Sequence, residues 1–311
     1  MTTFVAADGG SRHLLSLREA TRDSLEALLI RAQAFAEGHY DSRALAGTAV
    51  CTLFFEPSTR TRLSFQLAVQ QLGAHVLNFD ASTSSTSKGE TALDTLKNIE
   101  AMGVRGFVIR HREDGAVAAL AAQARPGTCV VNAGDGRSAH PTQGLLDMLT
   151  LRQAKGNDFS RLRVAIVGDI KHSRVARSDL QALRALGAGE IRAIGPASLL
   201  PDDGTLDGCS VGQDFDAALD GVDAVMMLRL QRERMEEGLV DSLEDYHRDY
   251  GLTAARLKRA APDAVVMHPG PMNRGVEITD EVADGPQSLI LTQVGNGVAV
   301  RMAVLEALLK G

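Results

Sequence analysis

The sequence predicts an α/β fold made of two doubly wound parallel-sheet domains. Short apolar runs alternate with segments of helical periodicity almost throughout the 311 residues. Runs that read as buried on both faces, with helices between them, are typical of parallel sheets. The alternation restarts in the second half of the chain, and a chain of this length is large enough for two domains of ordinary size.

In the first half, residues 48–55 (TAVCTLFF) form an apolar run that predicts a strand. The next segment predicts a helix, because Phe65, Ala68, Val69 and Leu72 follow the i, i+3, i+4, i+7 spacing. Further strands are predicted at 74–79, 106–110 and 128–133, and further helices at 91–103 and 115–124.

In the second half, strands are predicted at 163–169, 190–195, 224–228, 264–270 and 288–294, and helices at 175–187 and 295–311. We expect a first domain over residues 1–147 and a second over 148–295. We also expect a C-terminal helix of about residues 296–311 to pack back on the first domain.

Composition excludes several classes of protein. The net charge of −6 disfavours a nucleic-acid binder. No apolar stretch approaches the ~18–20 residues that span a membrane, and the N-terminal segment does not read as a signal peptide. The three cysteines, Cys51, Cys129 and Cys209, form no CxxC pair, so buried thiols are expected rather than a disulfide framework or a metal site. We therefore expect a cytoplasmic protein.

In the segment FFEPSTRTRLSF, residues 54–65, the hydroxyls of Ser58, Thr59 and Thr61 and two arginines lie where a strand gives way to a helix. The simplest interpretation is an N-cap, with Ser58 or Thr59 as the capping residue. Capping needs only one hydroxyl, however. Arg60, Thr61 and Arg62 around a positive helix end favour an anion-binding site.

Other strand-end loops carry similar chemistry, because ligands of open parallel sheets bind at the carboxyl ends of strands. His140 and Gln143 open a helix after strand 128–133, where His140 is either structural or polarises a carbonyl group. Arg110 ends a strand and suits a phosphate or carboxylate, and Arg174 and Arg177 suit anions or salt bridges equally well. No G-x-G-x-x-G follows Gly168, which disfavours dinucleotide binding.

Taken together, these segments resemble the transcarbamoylase family, in the family's order along the chain. They are FFEPSTRTRLSF, SKGE, VIRH, HPTQGLLD, VAIVGDIKHSRVARS, LRLQRER and HPGPMNRGVEI. The resemblance implies two domains with the active site between them. It also implies carbamoyl phosphate and L-aspartate as substrates, N-carbamoyl-L-aspartate and phosphate as products, a step of pyrimidine biosynthesis, and neither a cofactor nor a metal.

The resemblance assigns a role to each candidate residue. The catalytic set would be Arg60, Thr61, Arg110 and His140, while Arg62 would be structural. Carbamoyl phosphate would be bound by Ser58, Thr59, Arg60, Thr61, Arg110, His140, Gln143, Gly270 and Pro271. Aspartate would be bound by Ser84, Lys88, Arg174, Arg229 and Gln231.

The resemblance also implies partners. In related enzymes the loop that holds Ser84 and Lys88 enters the site of the neighbouring subunit, which implies a homotrimer. The HPGPMNRGVEI form resembles bacterial chains that associate with dihydroorotase, and regulatory chains are a further candidate partner. Neither a nucleic acid nor a membrane is an expected partner.

Three alternatives stay open at this point. Ornithine carbamoyltransferases commonly carry an HCLP motif, where this chain has HPGP and an arginine-rich second loop. A non-catalytic carbamoyltransferase-like subunit would usually lose part of the phosphate motif, which is present here. A nucleotide-dependent oxidoreductase would need the missing glycine fingerprint.

Overall fold

Each half of the chain forms one largely parallel sheet with helices between the strands. The computed structural model describes residues 5–7, 11–80, 89–230 and 242–310. The chain divides into two compact units, Met1–Leu149 together with Val294–Gly311, and Thr150–Gln293. The two-domain parallel α/β class that the alternating pattern predicts is confirmed.

The first unit holds a six-stranded sheet in the order β1-β2-β6-β5-β3-β4. Its edge strand β1 is antiparallel to β2, and all the other pairs are parallel. The strands are β1 Val5–Ala7, β2 Ser11–Leu14, β3 Ala49–Phe54, β4 His75–Asp80, β5 Gly106–His111 and β6 Cys129–Asp135.

The helices of the first unit follow from apolar faces directed at this sheet. In α2, Phe65, Ala68 and Val69 are buried while Leu63 and Leu67 are exposed. Each fully buried large apolar side chain contributes about 1.5–3 kcal/mol. The helices are α1 Arg22–Ala36, α2 Thr59–Gln71, α3 Ala92–Ala101, α4 Ala116–Ala121 and α5 Pro141–Lys155, with most of α11 Ile290–Leu309.

The second unit holds a five-stranded, fully parallel sheet in the order β11-β10-β7-β8-β9. The strands are β7 Arg163–Val167, β8 Glu190–Ile194, β9 Ser210–Gly212, β10 Ala224–Met227 and β11 Val265–Met267. The helices are α6 Arg174–Leu186, α7 Phe215–Ala218, α8 Leu243–Tyr250, α9 Ala254–Leu257 and α10 Asp280–Ala283.

The predicted strand at 288–294 is wrong. Residues from Ile290 onward belong to α11, which continues through Gly295 and Gly297 to Leu309. A short apolar run bounded by glycine does not distinguish a strand from a buried helix segment. Here the apolar run is the first part of a 20-residue helix.

The last turns of α11 lie against the first unit's own elements. Arg31 of α1 donates two hydrogen bonds to Glu306, at 2.6 and 2.8 Å. Cys129 Sγ donates to the Leu308 carbonyl oxygen at 3.1 Å. These contacts attach the C-terminal helix to α1 and β6.

All three cysteines carry free thiols, and Cys51 and Cys129 are buried. Cys209 is only half-buried, so the expectation of burial is wrong there, and its Sγ accepts from Arg184 at 3.3 Å. Within the described ranges, no helix is both long and apolar enough to cross a membrane.

Candidate active site

Three neighbouring strand ends of the first unit carry most of the predicted carbamoyl phosphate residues. Strands β6, β5 and β3 are adjacent and parallel, so their carboxyl ends meet at one edge of the sheet. Arg110 on β5 lies in register with Phe54, the last residue of β3. Residues 58–61 follow β3, and residues 140–143 follow β6. The sheet order therefore brings these chain-distant segments to one edge.

The start of α2 is not capped by its own side chain. Ser58 is the N-cap residue, with extended backbone geometry, but its hydroxyl makes no capping hydrogen bond. No acidic residue lies in the first turn. At the start of α6, by contrast, Ser173 accepts a hydrogen bond from the Ala176 N–H at 3.1 Å. A helix start without a side-chain cap or an acidic residue is of the kind that can bind an anion.

The two arginines of this helix start differ in environment. Arg60 is exposed. Arg62 is half-buried, and its guanidinium lies 5.5 Å from the centroid of the Phe54 ring. An arginine stacked over a ring contributes about 0.5–2 kcal/mol. Packing on β3 therefore supports the structural role expected of Arg62.

Arg110 is held at the strand end by two contacts. Its Nη2 donates to Glu56 Oε1 at 2.9 Å, and its Nη1 donates to the Ala133 carbonyl oxygen at 3.1 Å. The Arg110 side chain is 11% exposed. A phosphate dianion at this edge would compete with Glu56 for the guanidinium.

The last residues of β6 and the turn that follows them lead the chain to His140. Asn132 Oδ1 accepts from the Gly134 N–H at 2.8 Å, and Asn132 Nδ2 donates to the Leu15 carbonyl oxygen at 2.9 Å. Gly136 has a φ of +46°, and a Cβ there would lie 2.0 Å from Asp114 Oδ1, so only glycine fits. The chain then enters α5 at Pro141, with His140 buried immediately before it.

Gln143 is oriented by the next turn of its own helix. Its Nε2 donates to both carboxylate oxygens of the buried Asp147, at 3.0 and 3.2 Å. Because the amide nitrogen is used there, Gln143 presents its oxygen elsewhere as an acceptor. That oxygen suits an amide N–H₂ group.

A buried arginine of α11, Arg301, interacts electrostatically with two of these residues. The Arg301 guanidinium, on α11, is 4.9 Å from the Phe65 ring centroid. Burial lowers the pKa of Arg301 to about 9; the charge of Asp147 opposes this shift, and the charge of Arg110 adds to it. The charges of Arg110, Asp147 and Arg301 are therefore coupled.

In the second unit, candidate residues also follow the carboxyl ends of three neighbouring parallel strands, β7, β10 and β11. Arg174 is the first residue of α6, after β7, and Arg229 follows β10; both are half-buried. Pro269, Gly270 and Pro271 follow β11. Their strands place these segments at one edge of the second sheet.

Arg177 is a structural residue. Its Nη2 donates to Asp203 Oδ2 at 2.8 Å, and its Nη1 contacts the Thr205 hydroxyl. Arg177 therefore forms a salt bridge, one of the two roles that the sequence left open for it.

Ser84, Lys88 and Gln231 lie outside the described residues. Within the part of the chain that the structure describes, no group of three His, Cys, Asp or Glu side chains is placed to hold a metal ion.

Sequence reasoning missed three charged residues that contact or surround the predicted ones: Glu56, Asp147 and Arg301. A signal was present for two of them. Asp147 is four residues after Gln143 on a helix, the spacing at which side chains meet. Arg301 is a lone charge within the apolar stretch GVAVRMAVL. The Glu56–Arg110 contact depends on sheet order, which the chain order does not reveal.

The family models agree with this architecture. Residues 12–153 match the model described as "Aspartate/ornithine carbamoyltransferase, carbamoyl-P binding domain". Residues 160–308 match "Aspartate/ornithine carbamoyltransferase, Asp/Orn binding domain". The chain belongs to the aspartate/ornithine carbamoyltransferase family, as its motifs indicate.

Within that family, the chain is 74% identical over 314 aligned positions to the aspartate carbamoyltransferase catalytic subunit of Xanthomonas oryzae pv. oryzae (strain MAFF 311018), covering 99% of this chain and 100% of the relative. It is 72% identical to the subunit of the same name from Stenotrophomonas maltophilia (strain R551-3), covering 97% and 98%.

The chain is also similar to solved structures over almost its full length. Aspartate transcarbamoylase from Trypanosoma cruzi, in complex with carbamoyl aspartate and phosphate, is similar with a TM-score of 0.85 at 29% identity, covering 98% of each chain. Ornithine carbamoyltransferase from Thermus thermophilus is similar with a TM-score of 0.85 at 30% identity, covering 96% of this chain and 98% of that one.

Proposed function

We propose that this chain transfers the carbamoyl group of carbamoyl phosphate to the α-amino group of L-aspartate. The products are N-carbamoyl-L-aspartate and phosphate, and the reaction is the committed step of pyrimidine biosynthesis. The observation that carries the proposal is the uncapped start of α2, which lies beside Arg110 and His140 at neighbouring strand ends. The 74% identical relative named for this activity supports the choice of aspartate.

The phosphate is bound in the first unit. Ser58, Thr59 and Thr61 supply hydroxyl and backbone donors at the positive end of α2. Arg60 and Arg110 supply positive charge. The Arg110 guanidinium, which contacts Glu56 in this structure, contacts the phosphate in its place. Gln143 accepts from the carbamoyl amide, since its own amide nitrogen is committed to Asp147.

The chemistry is nucleophilic attack by the neutral amine of aspartate on the carbamoyl carbon. A C–N bond forms, and the resulting oxyanion is stabilised by Arg60, Thr61 and His140, each well-placed donor being worth about 3–4 kcal/mol. The C–O bond to phosphate then breaks, and the departing phosphate accepts the amine proton. Orientation of two anions against their mutual repulsion supplies much of the remaining acceleration.

The second unit binds aspartate. Arg174 and Arg229 meet its carboxylates, together with Gln231 and with Ser84 and Lys88. Gly270 and Pro271 orient both substrates through their backbone groups. The domain assignment follows: residues 1–147 with 296–311 bind carbamoyl phosphate, and residues 148–295 bind aspartate.

The chain forms a homotrimer in which the 84–88 loop is shared between subunits. Support comes from exposed apolar side chains on α2 and on β4, which is the edge strand of the first sheet. Leu63, Leu67 and Leu77 are 58%, 44% and 42% exposed there. Copurification from native cells tests the further association with dihydroorotase or regulatory chains.

The three free thiols support a reducing compartment, and we place the reaction in the cytoplasm. Fractionation of native cells checks this placement.

The choice of amine acceptor tests the proposal. Purified protein is given carbamoyl phosphate with L-aspartate or with L-ornithine, and both carbamoylated products are quantified. Carbamoyl aspartate is expected, with little or no citrulline. Citrulline as the main product would make the chain an ornithine enzyme, and the absence of both products would favour a non-catalytic subunit.

A further inference from the structure

Glu277 is a buried carboxylate to which the proposed function assigns no role. Its side chain has no exposed surface, and it lies ten residues after the end of β11. Three donors surround it. The Asn273 N–H donates to Oε1 at 2.5 Å, Asn273 Nδ2 donates to Oε2 at 3.2 Å, and His268 Nε2 lies 3.2 Å from Oε1.

The hydrogen bonds fix the tautomer of His268. The Gly270 N–H donates to His268 Nδ1 at 2.8 Å, so Nδ1 carries a lone pair. The ring proton is therefore on Nε2, where it is donated to Glu277. The His268 N–H also donates to Gln293 Oε1 at 2.9 Å. Glu277 thus orients the ring, and the ring holds the backbone of Gly270.

Asn273 extends the same network to a second strand end. Its Nδ2 also donates to the Leu230 carbonyl oxygen at 3.0 Å. Leu230 follows Arg229 directly, after β10. One carboxylate therefore stabilises both the loop that holds Gly270 and the segment that holds Arg229.

We propose that Glu277 is a positioning residue for the amino-acid substrate, acting through His268 on Gly270 and through Asn273 on the segment at Arg229. The inference rests on the proposed function, from which the roles of Gly270 and Arg229 come. A fully satisfied buried network rigidifies the groups that it joins, and here those groups include the backbone of Gly270 and the segment at Arg229.

The test is Glu277→Gln in the full-length protein. A glutamine places an amide nitrogen against one of the Asn273 or His268 donors, so part of the network must break. We expect the KM for aspartate to rise by about tenfold, because the loss of one hydrogen bond to a charged group changes an affinity by about that factor. The affinity for inorganic phosphate, measured by calorimetry, stays at the wild-type value, because its proposed contacts are in the first unit.

Two further variants separate positioning from stability. His268→Gln retains a donor near the position of Nε2 for Glu277, but it has no acceptor at the position of Nδ1 for the Gly270 N–H, so it also raises the aspartate KM. Glu190→Gln breaks the pair with Arg192 on β8 (2.9 Å) in the same unit and leaves the aspartate KM unchanged. If Glu277→Gln does not fold, His268→Gln decides by the same criteria.

The tautomer supplies a readout that needs no turnover. NMR of the ligand-free wild type should show His268 protonated on Nε2, and Glu277→Gln should alter that signal. A wild-type aspartate KM in folded Glu277→Gln, or equal losses of aspartate and phosphate affinity, would overturn the inference. A wild-type protein that makes no carbamoyl aspartate would instead refute the proposed function, with the tautomer still testing the Glu277–His268 contact.

Discussion

Ser58 and Ser173 occupy the same position at the starts of two helices, yet only Ser173 caps its helix. Both N-cap residues are serine and both helices follow a parallel strand, so the residue type at the N-cap does not explain the difference. The helix start at Ser58 carries no acidic side chain and has Arg60 in its first turn. Donors left available at a helix start favour an anion, which is the physical basis for placing phosphate there.

Arg60 and Arg62 form a matched pair for testing this placement. Arg60→Ala should lower kcat by about 10²–10³-fold, the usual cost of a lost oxyanion donor. Arg62→Met should retain most turnover and should instead lower the unfolding free energy, because Arg62 packs over Phe54. Steady-state rates and urea unfolding of both variants check this. Near-normal turnover in folded Arg60→Ala contradicts the role in phosphate and carbonyl binding.

The candidate loops could be located from the sequence, because they follow strands that the apolar pattern predicts, whereas the role of each residue comes from the resemblance to the family. The charged residues that contact the candidate site residues could not be predicted from the sequence. Glu56 meets Arg110 only because β3 and β5 are neighbours, and Glu277 meets His268 through a turn whose path has no periodic signal. The roles of the motif residues stay predictions until they are tested by mutation.

At the scale of the elements, parallel pairing in each sheet places the carboxyl ends of three neighbouring strands together. The pattern predicted most of these strands, but not their order. It misread the start of α11 as a strand, because the apolar run at 288–294 suits either structure. The helix predicted at 295–311 is present, but it begins earlier, at Ile290.

Strand β2 has a pH-sensitive contact. His13 is buried, its Nδ1 accepts from the Val130 N–H at 3.0 Å, and burial lowers the pKa of His13 from 6.5. The unfolded chain therefore binds more protons than the folded chain as pH falls below 6.5. The contribution of His13 to the free energy of unfolding should be fully present above pH 6.5. Below that pH it should decrease by at most about 1.4 kcal/mol per pH unit.

The measurement is urea unfolding between pH 8 and pH 5. His13→Asn is the matched control, because an asparagine oxygen can accept from Val130 and does not titrate. The variant should lose a smaller part of its stability than the wild type on acidification. Equal losses in the two proteins would show that His13 does not titrate on unfolding.

For the whole molecule, the proposed function requires more than one chain for each active site, since Lys88 is proposed to act in a neighbouring subunit. Arg60→Ala and Lys88→Ala should each be nearly inactive. Mixing the two under conditions of subunit exchange should restore measurable turnover, because some sites then receive neither substitution.

Native mass spectrometry of the wild type should give three times the mass of one chain. Mixtures that stay inactive after demonstrated exchange, or a monomeric wild type with full activity, would exclude a shared site.

The most direct test of the central claim is product formation by the purified wild-type chain. Carbamoyl phosphate and L-aspartate are supplied, and N-carbamoyl-L-aspartate and inorganic phosphate are measured in the same samples. We predict enzymatic formation of the two products in equimolar amounts, and no formation of either product when aspartate is omitted. Phosphate release without carbamoyl aspartate, or no turnover at saturating substrates, would contradict it.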